Sequence, residues 1–236
     1  MIEFLMDGGP FMIPLGACLI LALAVMVERY IVLKEVRQFA VPFLTKFNEH
    51  ISSGDLENAR ELCEQSPHPV SRMLKAGLDR HDEVRQEKNI AFIHEQVDDA
   101  VSNAGMQTIG LMEKRLGLLA SISNLAPLFG FAGTVTGMIV AFGAIASAGN
   151  VDVSQVAEGI SQALNTTASG LVIGIVATIG YNYFSSRIED FVEYLEDTTN
   201  GMLAELIQDI MEQRYGESAV SDEMASPPPP PPPEGD

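Results

Sequence analysis

LGLLASISNLAPLFGFAGTVTGMIVAFGAIASA, residues 116–148, is a run of 33 residues without a charge. A helix needs about 20 predominantly apolar residues to cross the hydrocarbon core of a bilayer, so this run spans one and projects beyond it. Its apolarity is not uniform. Ser123, Pro127, Gly130, Thr134, Gly137 and Ala141 recur every three or four residues, which gathers small or weakly polar groups on one helical face. Such faces let membrane helices approach closely, and Gly133 with Gly137 makes a GxxxG pair. A hydroxyl on this face either hydrogen-bonds across an interface or lines a wet path. Periodicity alone leaves both open.

Two further uncharged runs flank this one. The first extends from about Phe11 to Val27 and continues weakly to Leu33, where Glu28, Arg29, Lys34 and Arg37 close it. The other, residues 159–186, holds 28 uncharged residues and ends at Arg187. On it Thr167, Gly170, Gly174, Thr178, Tyr181 and Ser185 fall near one face, with Gln162 and Thr166 on a neighbouring stripe. A rise of 1.5 Å per residue puts Thr134 about 21 Å from the outer end of its run and Thr167 about 12 Å inside its own. Lys34, Arg37, Lys114, Arg115 and Arg187 all lie at the same ends of their runs in a three-span topology. The excess of Lys and Arg marks that side as cytoplasmic. The expectation is therefore an all-α membrane protein of three transmembrane helices with long cytoplasmic helical extensions, N-terminus outside and C-terminus cytoplasmic.

The segments follow in order. Residues 1–10 form a short acidic leader outside the membrane; its acidity and the lack of a small-residue cleavage pattern argue against a signal peptide. Span 1 covers 11–33. Residues 34–115 are a cytoplasmic helical region with 11 basic and 14 acidic residues. Within it, SSGD at 52–55 reads as a helix start. Pro67 and Pro69 break the chain, and VSRMLKAGL reads as another short helix. From Glu87, Ile90, Ile93, Val97, Val101, Ile109, Met112 and Leu116 keep helical spacing, which predicts a helix running straight into the second span. Span 2 is 116–148, a short outer loop 149–158, and span 3 is 159–186. Over 187–215 a helical apolar face (Ile188, Phe191, Leu195, Met202, Leu206, Ile210) faces away from a strongly acidic one. From 216 to 236 the character changes to an acidic, disordered tail with seven consecutive prolines, Pro227 to Pro233.

Charge excludes several functions. The 236 residues carry a formal net charge of -18, which argues against nucleic acid as a partner. Cys18 and Cys63 sit in unlike settings, and the four histidines show no ligand spacing, so neither a disulfide nor a metal site is expected. No nucleophile–base constellation or phosphate loop is present, so the chain does not read as an enzyme. No run holds an interior Asp, Glu, Lys, Arg or His; Glu28 and Arg29 stand at an edge, where snorkelling makes charge cheap. If the chain conducts protons, the carboxylate must come from a partner. A structural scaffold shares the same packing faces, and a self-contained transporter is disfavoured by three spans without an inverted repeat.

These residues resemble a known family. LAPLFGFAGTVTGMIVAF, 125–142, is similar to the second-span motif of the MotA/TolQ/ExbB proton channel family. ALNTTASGL, 163–171, followed by Tyr181-Asn182, resembles its third-span motif, VERY at 27–30 the end of its first span, and GDLENARELCEQSPHPVSRMLKAGL at 54–78 its cytoplasmic insert. The ExbB and TolQ branch is the nearer one, because MotA has an additional span.

The resemblance implies a cell inner membrane protein, multi-pass, assembled as a homopentamer around a dimer of an ExbD-like or TolR-like single-span protein whose helix carries the essential aspartate. It implies ion transport down the proton motive force. The resulting work passes to the outer membrane through a TonB-like or TolA-like protein, in TonB-dependent or Tol-type processes. It places the polar pathway residues at Thr134 and Thr167, with Thr166 and Gln162 beside them. Close helix packing falls to Pro127, Gly130, Gly133, Gly137, Gly170 and Gly174. There are two departures: Gln162 stands where the branch usually has glutamate, and Val176 where it usually has proline. The first leaves protons as the coupling ion through the partner's aspartate and raises sodium as the alternative, since neutral oxygens bind hard cations well.

Overall fold

The computed structural model describes residues 9–147 and 153–225, which are all α. Its helices are α1 (Met12–Ser52), α2 (Leu56–Glu64), α3 (Pro69–Val84), α4 (Ile90–Glu113), α5 (Leu116–Ser147) and α6 (Val153–Ala225). Three of them, α1, α5 and α6, are long and apolar enough to cross a membrane. A helix is the form such runs must take, because lipid offers backbone groups no alternative partner. The chain divides into two compact units, Met1–Gln38 with Ile109–Val192 and Phe39–Thr108 with Glu193–Asp236. Residues of α1, α4 and α6 contribute to both.

In the first unit Leu15, Ala22 and Val25 of α1, Leu119, Ile122 and Ala126 of α5, and Ile173, Ala177 and Phe184 of α6 are buried. The opposite faces carry exposed Ile20, Leu21, Leu128, Phe131, Ile139, Val172, Ile175 and Ile179. Water would not tolerate so continuous an apolar exterior, whereas lipid or further helices cover it without loss. Gly9, at φ +69°, opens the turn into α1, and its carbonyl accepts from the Met12 N–H at 3.1 Å.

The second unit is built as a water-soluble bundle. The SSGD stretch does start a helix: Gly54 turns the chain at φ +73°, and Asp55 caps α2 by accepting from the Asn58 N–H at 3.2 Å. His68 caps α3 through Nδ1, which accepts from the Val70 N–H at 3.3 Å, and Pro69 follows at the first helical position. The His68 ring stacks on Phe39 at 4.1 Å. Phe47, Leu44, Leu74, Leu78, Ile93, Val97, Met202 and Leu206 fill the core. Arg214 of α6 donates to the carbonyls of Arg85, Glu87 and Lys88, the turn that closes α3. His94 is exposed on α4.

Cys63 lies in this core, and burial pushes its thiol up to about 12. Since the thiolate is the reactive form, a maleimide at pH 7.5 is expected to leave Cys63 unlabelled in the native protein and to label it promptly after denaturation. Rapid native labelling, read by mass spectrometry of the Cys63 peptide, would contradict that burial.

One expectation fails. The helix that starts at Ile90 does not run straight into the second span. It ends at Glu113, Lys114 and Arg115 form a turn with Arg115 at φ 70°, and α5 begins at Leu116. At this end of α4 Arg29 of α1 donates to the carbonyl of Met112 at 3.0 Å and to that of Leu111 at 3.4 Å. At the far end, α6 continues to Ala225, ten residues beyond the Tyr215–Gly216 boundary read from composition. The seven prolines, residues 1–8 and residues 149–152 of the short outer loop lie outside the described residues, whereas residues 153–158 of that loop are the first turns of α6.

Candidate functional site

The small-residue faces of α5 and α6 meet in one seam. Gly130 is packed so that a Cβ there would lie 3.1 Å from Thr167 Cα and 3.3 Å from Gly170 Cα. At Gly137 it would lie 2.8 Å from the Gly159 carbonyl oxygen, and at Gly174 2.8 Å from the Pro127 ring. Gly133 leaves room for the Thr166 side chain, and at Gly170 a Cβ would lie 2.6 Å from the Ala126 carbonyl oxygen. Pro127, Gly130, Gly133, Gly137, Gly170 and Gly174 therefore all lie in contact between two helices of the same chain. These glycines are occupied within the subunit, so they supply no argument about its oligomeric state.

The hydroxyls divide into two groups. Thr167 Oγ1 crosses the seam and donates to the Gly130 carbonyl at 3.0 Å. Thr166 is wholly buried, and its Oγ1 donates to the Gln162 carbonyl of its own helix at 2.7 Å. Thr134 is set apart. Its Oγ1 donates to the Phe131 carbonyl at 2.6 Å, and it lines an open concave face of α5 with Val135, Met138, Ile139, Phe142, Gly143 and Ala146. Thr134 is the one polar side chain among those lining residues. The partner of Thr167, Gly130, is one helical turn from Thr134, about 6 Å along the axis. The half-buried Gln162 side chain lies against Gly9, where any Cβ would collide with its amide.

Sequence reasoning missed a charged cluster at the other end of the first unit. Arg29 is only 3% exposed. Besides the two carbonyls, its Nη2 donates to Glu28 Oε1 at 3.0 Å, and the second oxygen of Glu28 pairs with Arg115. Arg29 Nε has no partner. The signal for this cluster was the Glu-Arg pair closing the first apolar run, but an edge position reads as snorkelling, and burial is invisible from composition.

In the second unit His81 is 3% exposed with Nε2 unpartnered. Burial pushes its pKa below the usual histidine value, against the opposing pull of Asp82 and Asp209. Among the described residues no group of three His, Cys, Asp or Glu side chains could hold a metal ion.

Three long apolar helices, two of them joined along a glycine–threonine seam in which no described residue is a buried acid, define a multi-span membrane protein. Residues 65–197 match the model of the MotA/TolQ/ExbB proton channel family, more than half of the chain, and the chain belongs to that family, on its ExbB/TolQ branch. Over 197 residues it is 29% identical to a biopolymer transport protein ExbB homolog of Methanothermobacter thermautotrophicus, covering 83% of this chain and 66% of that protein. It is 32% identical over 152 residues to the Tol-Pal system protein TolQ of Pseudomonas aeruginosa, covering 62% of this chain and 66% of TolQ. With the biopolymer transport protein ExbB of Aquifex aeolicus it shares 30% identity over 117 residues, 50% of this chain and 72% of that one. The chain thus spans just under two thirds of the length of the first two relatives.

Proposed function

We propose that this chain is the ion-channel, stator-like subunit of an energy-coupling motor in the inner membrane. Five copies enclose the helices of a dimer of an ExbD-like or TolR-like single-span partner. The proton motive force drives the partner's carboxylate past the polar oxygens of α5 and α6, and a TonB-like or TolA-like protein carries the work to the outer membrane. The basic residues at Lys34, Arg37, Lys114, Arg115 and Arg187 favour a cytoplasmic location for the second unit and the C-terminus, with the N-terminus outside. Family membership supports ion transport in general terms. The observation that carries the finer reading is Thr134, a lone hydroxyl on an otherwise apolar concave face, which suits an apolar helix bearing one polar group.

The test is ion-driven work by the reconstituted complex with its partner, at fixed membrane potential, with pH and sodium varied separately. Thr134→Val keeps shape and removes hydrogen-bonding capacity, leaving a partner group unpaired at roughly 1–3 kcal/mol, a loss of about fivefold to a hundredfold in coupled activity with assembly intact. Thr167→Val loses its bond to Gly130 as well, and Thr167→Ser restores both. Full activity of both valine variants would remove these threonines from the pathway. Sodium is the competing coupling ion, favoured by an amide at Gln162 in place of an acid. Activity that persists without sodium retires that alternative, whereas dependence on external sodium, altered by Gln162→Glu, retires protons.

A further inference from the structure

In the second unit α3 is held near each end by a histidine, and both contacts suit only the uncharged ring. At its start, Nδ1 of His68 accepts from the Val70 N–H at 3.3 Å. Neutral imidazole has a lone pair for that bond; imidazolium is a donor at both nitrogens. A proton on Nδ1 therefore removes the cap and sets a positive charge at the positive end of the helix dipole. Against His68, α1 stacks the Phe39 ring at 4.1 Å. Beside it, Thr108 of α4 donates to the Pro69 carbonyl at 3.4 Å. Neither of these neighbours is charged. The Phe39 face would attract a cation modestly, one gain against two penalties at the same ring.

His81 stands one turn after Gly77, on the same face of α3. At Gly77 that face is in close contact with Val101 of α4 and Met202 of α6. Just past His81, Arg214 of α6 donates to the carbonyls of Arg85, Glu87 and Lys88. His81 thus lies between two contacts that join α3 to α6. The charged groups that act on it are Asp82 and Arg85 of α3 and Asp209 of α6. From α4, contacts step from Gly105 at Met73 to Val101 at Gly77, so the next turn brings Val97, which is buried and apolar. Asp82 Oδ1 is 3.7 Å from Nδ1, but that carboxylate is 44% exposed, and water screens its pull. On the other side of the ring Nε2 has no partner. A second N–H there would bury a charged donor without an acceptor.

We propose that His68 and His81 make α3 an acid-released clasp: protonation of the two rings frees this helix from α1 and α6 while α4 stays folded. The sign follows from the geometry. Both sites favour the neutral ring in the docked helix, so their contribution is complete above the ordinary histidine value of about 6.5 and is lost as pH falls through it. Each proton taken up on release multiplies the ratio of released to docked helix by about tenfold per pH unit, and two protons by about a hundredfold, until the docked rings titrate as well. Acid in the surrounding solution would thereby strip α6 of a packing partner along Met202 to Arg214. The inference does not depend on which ion or partner the protein uses.

Amide hydrogen exchange of the full-length protein in detergent, read by mass spectrometry of α3 and α4 peptides between pH 8 and pH 5, tests this. Rates are expressed as protection relative to an unstructured peptide at the same pH. In the wild type, α3 protection is expected to fall below pH 6.5 by up to about a hundredfold per pH unit, with α4 retaining its own. His68→Asn keeps an N-cap acceptor that takes up no proton, and His81→Leu fills the pocket without a titrating group. Each is expected to reduce the fall to about tenfold per unit, and the double variant to hold α3 protection level. If His81→Leu does not fold, His68→Asn decides: a fall as steep as in the wild type overturns the proposal. Unchanged α3 protection in the wild type down to pH 5 overturns it too. So does a fall that survives in the double variant, or an equal loss in α4, which would be unfolding of the whole unit.

Discussion

Gly170→Leu is expected to dismantle the seam between α5 and α6. A Cβ at Gly170 would stand 2.6 Å from the Ala126 carbonyl oxygen, 2.9 Å from Gly130 Cα and 3.1 Å from Gly130 N. All three are backbone atoms of α5, which cannot rotate aside as a side chain does. Even alanine forces the helices apart, at about 1–3 kcal/mol for an overpacked contact, and leucine adds three more carbons where there is no space. Separation also stretches the bond from Thr167 to the Gly130 carbonyl. Gly16 is the control: a Cβ there meets nothing within 4 Å, so Gly16→Ala gains helix propensity of up to about 1 kcal/mol. Thermal unfolding of the purified protein in detergent should rank Gly16→Ala at or above wild type, Gly170→Ala below it, and Gly170→Leu lowest or unable to assemble. A Gly170→Leu protein as stable as wild type would mean that the helices do not approach this closely.

Gly77→Val should have the corresponding effect in the second unit. Gly77 is buried on α3, and a Cβ would lie 2.5 Å from Val101 Cγ2 of α4 and 2.8 Å from Met202 Cε of α6. The methionine end can swing away at little cost. The valine methyl cannot, because a β-branched side chain has few rotamers to escape into. A valine at residue 77 brings two further methyls into that space, so a destabilisation of about 1–3 kcal/mol or more is expected. Gly201→Ala, with nothing within 4 Å of its added Cβ, should stabilise the same unit slightly. Limited proteolysis would resolve the two: faster cleavage in α3 and α4 for Gly77→Val, and no acceleration for Gly201→Ala. Unchanged protease resistance in Gly77→Val would count against the close three-helix contact.

Much of the fold is legible in the chain because membrane helices announce themselves by composition. A 33-residue uncharged run has few other destinations, and a stripe of glycine and threonine marks the side that another helix approaches. The identity of that other helix was not legible, since a small-residue face is the same whether it packs against its own chain or another copy. Gly54-Asp55 announced a helix start because turn and cap chemistry is local. The break at Arg115 does not announce itself, and the side chain that bonds the last turn of α4, Arg29, lies 83 positions before Met112. Local propensity predicts one helix there, and the structure has two. Gln162 illustrates the same point: its side chain lies against Gly9, a neighbour that no spacing rule connects to it.

The direction of the Thr134 hydroxyl bond has a chemical corollary. Its hydrogen is committed to the Phe131 carbonyl, so toward the open side of α5 the oxygen offers electron pairs and nothing else. A visitor to that face must arrive electron-poor. A metal cation qualifies, and so does a carboxylic acid that still holds its hydrogen. A bare carboxylate finds lone pairs facing lone pairs, and there the cheapest remedy is to pick up a proton before it passes.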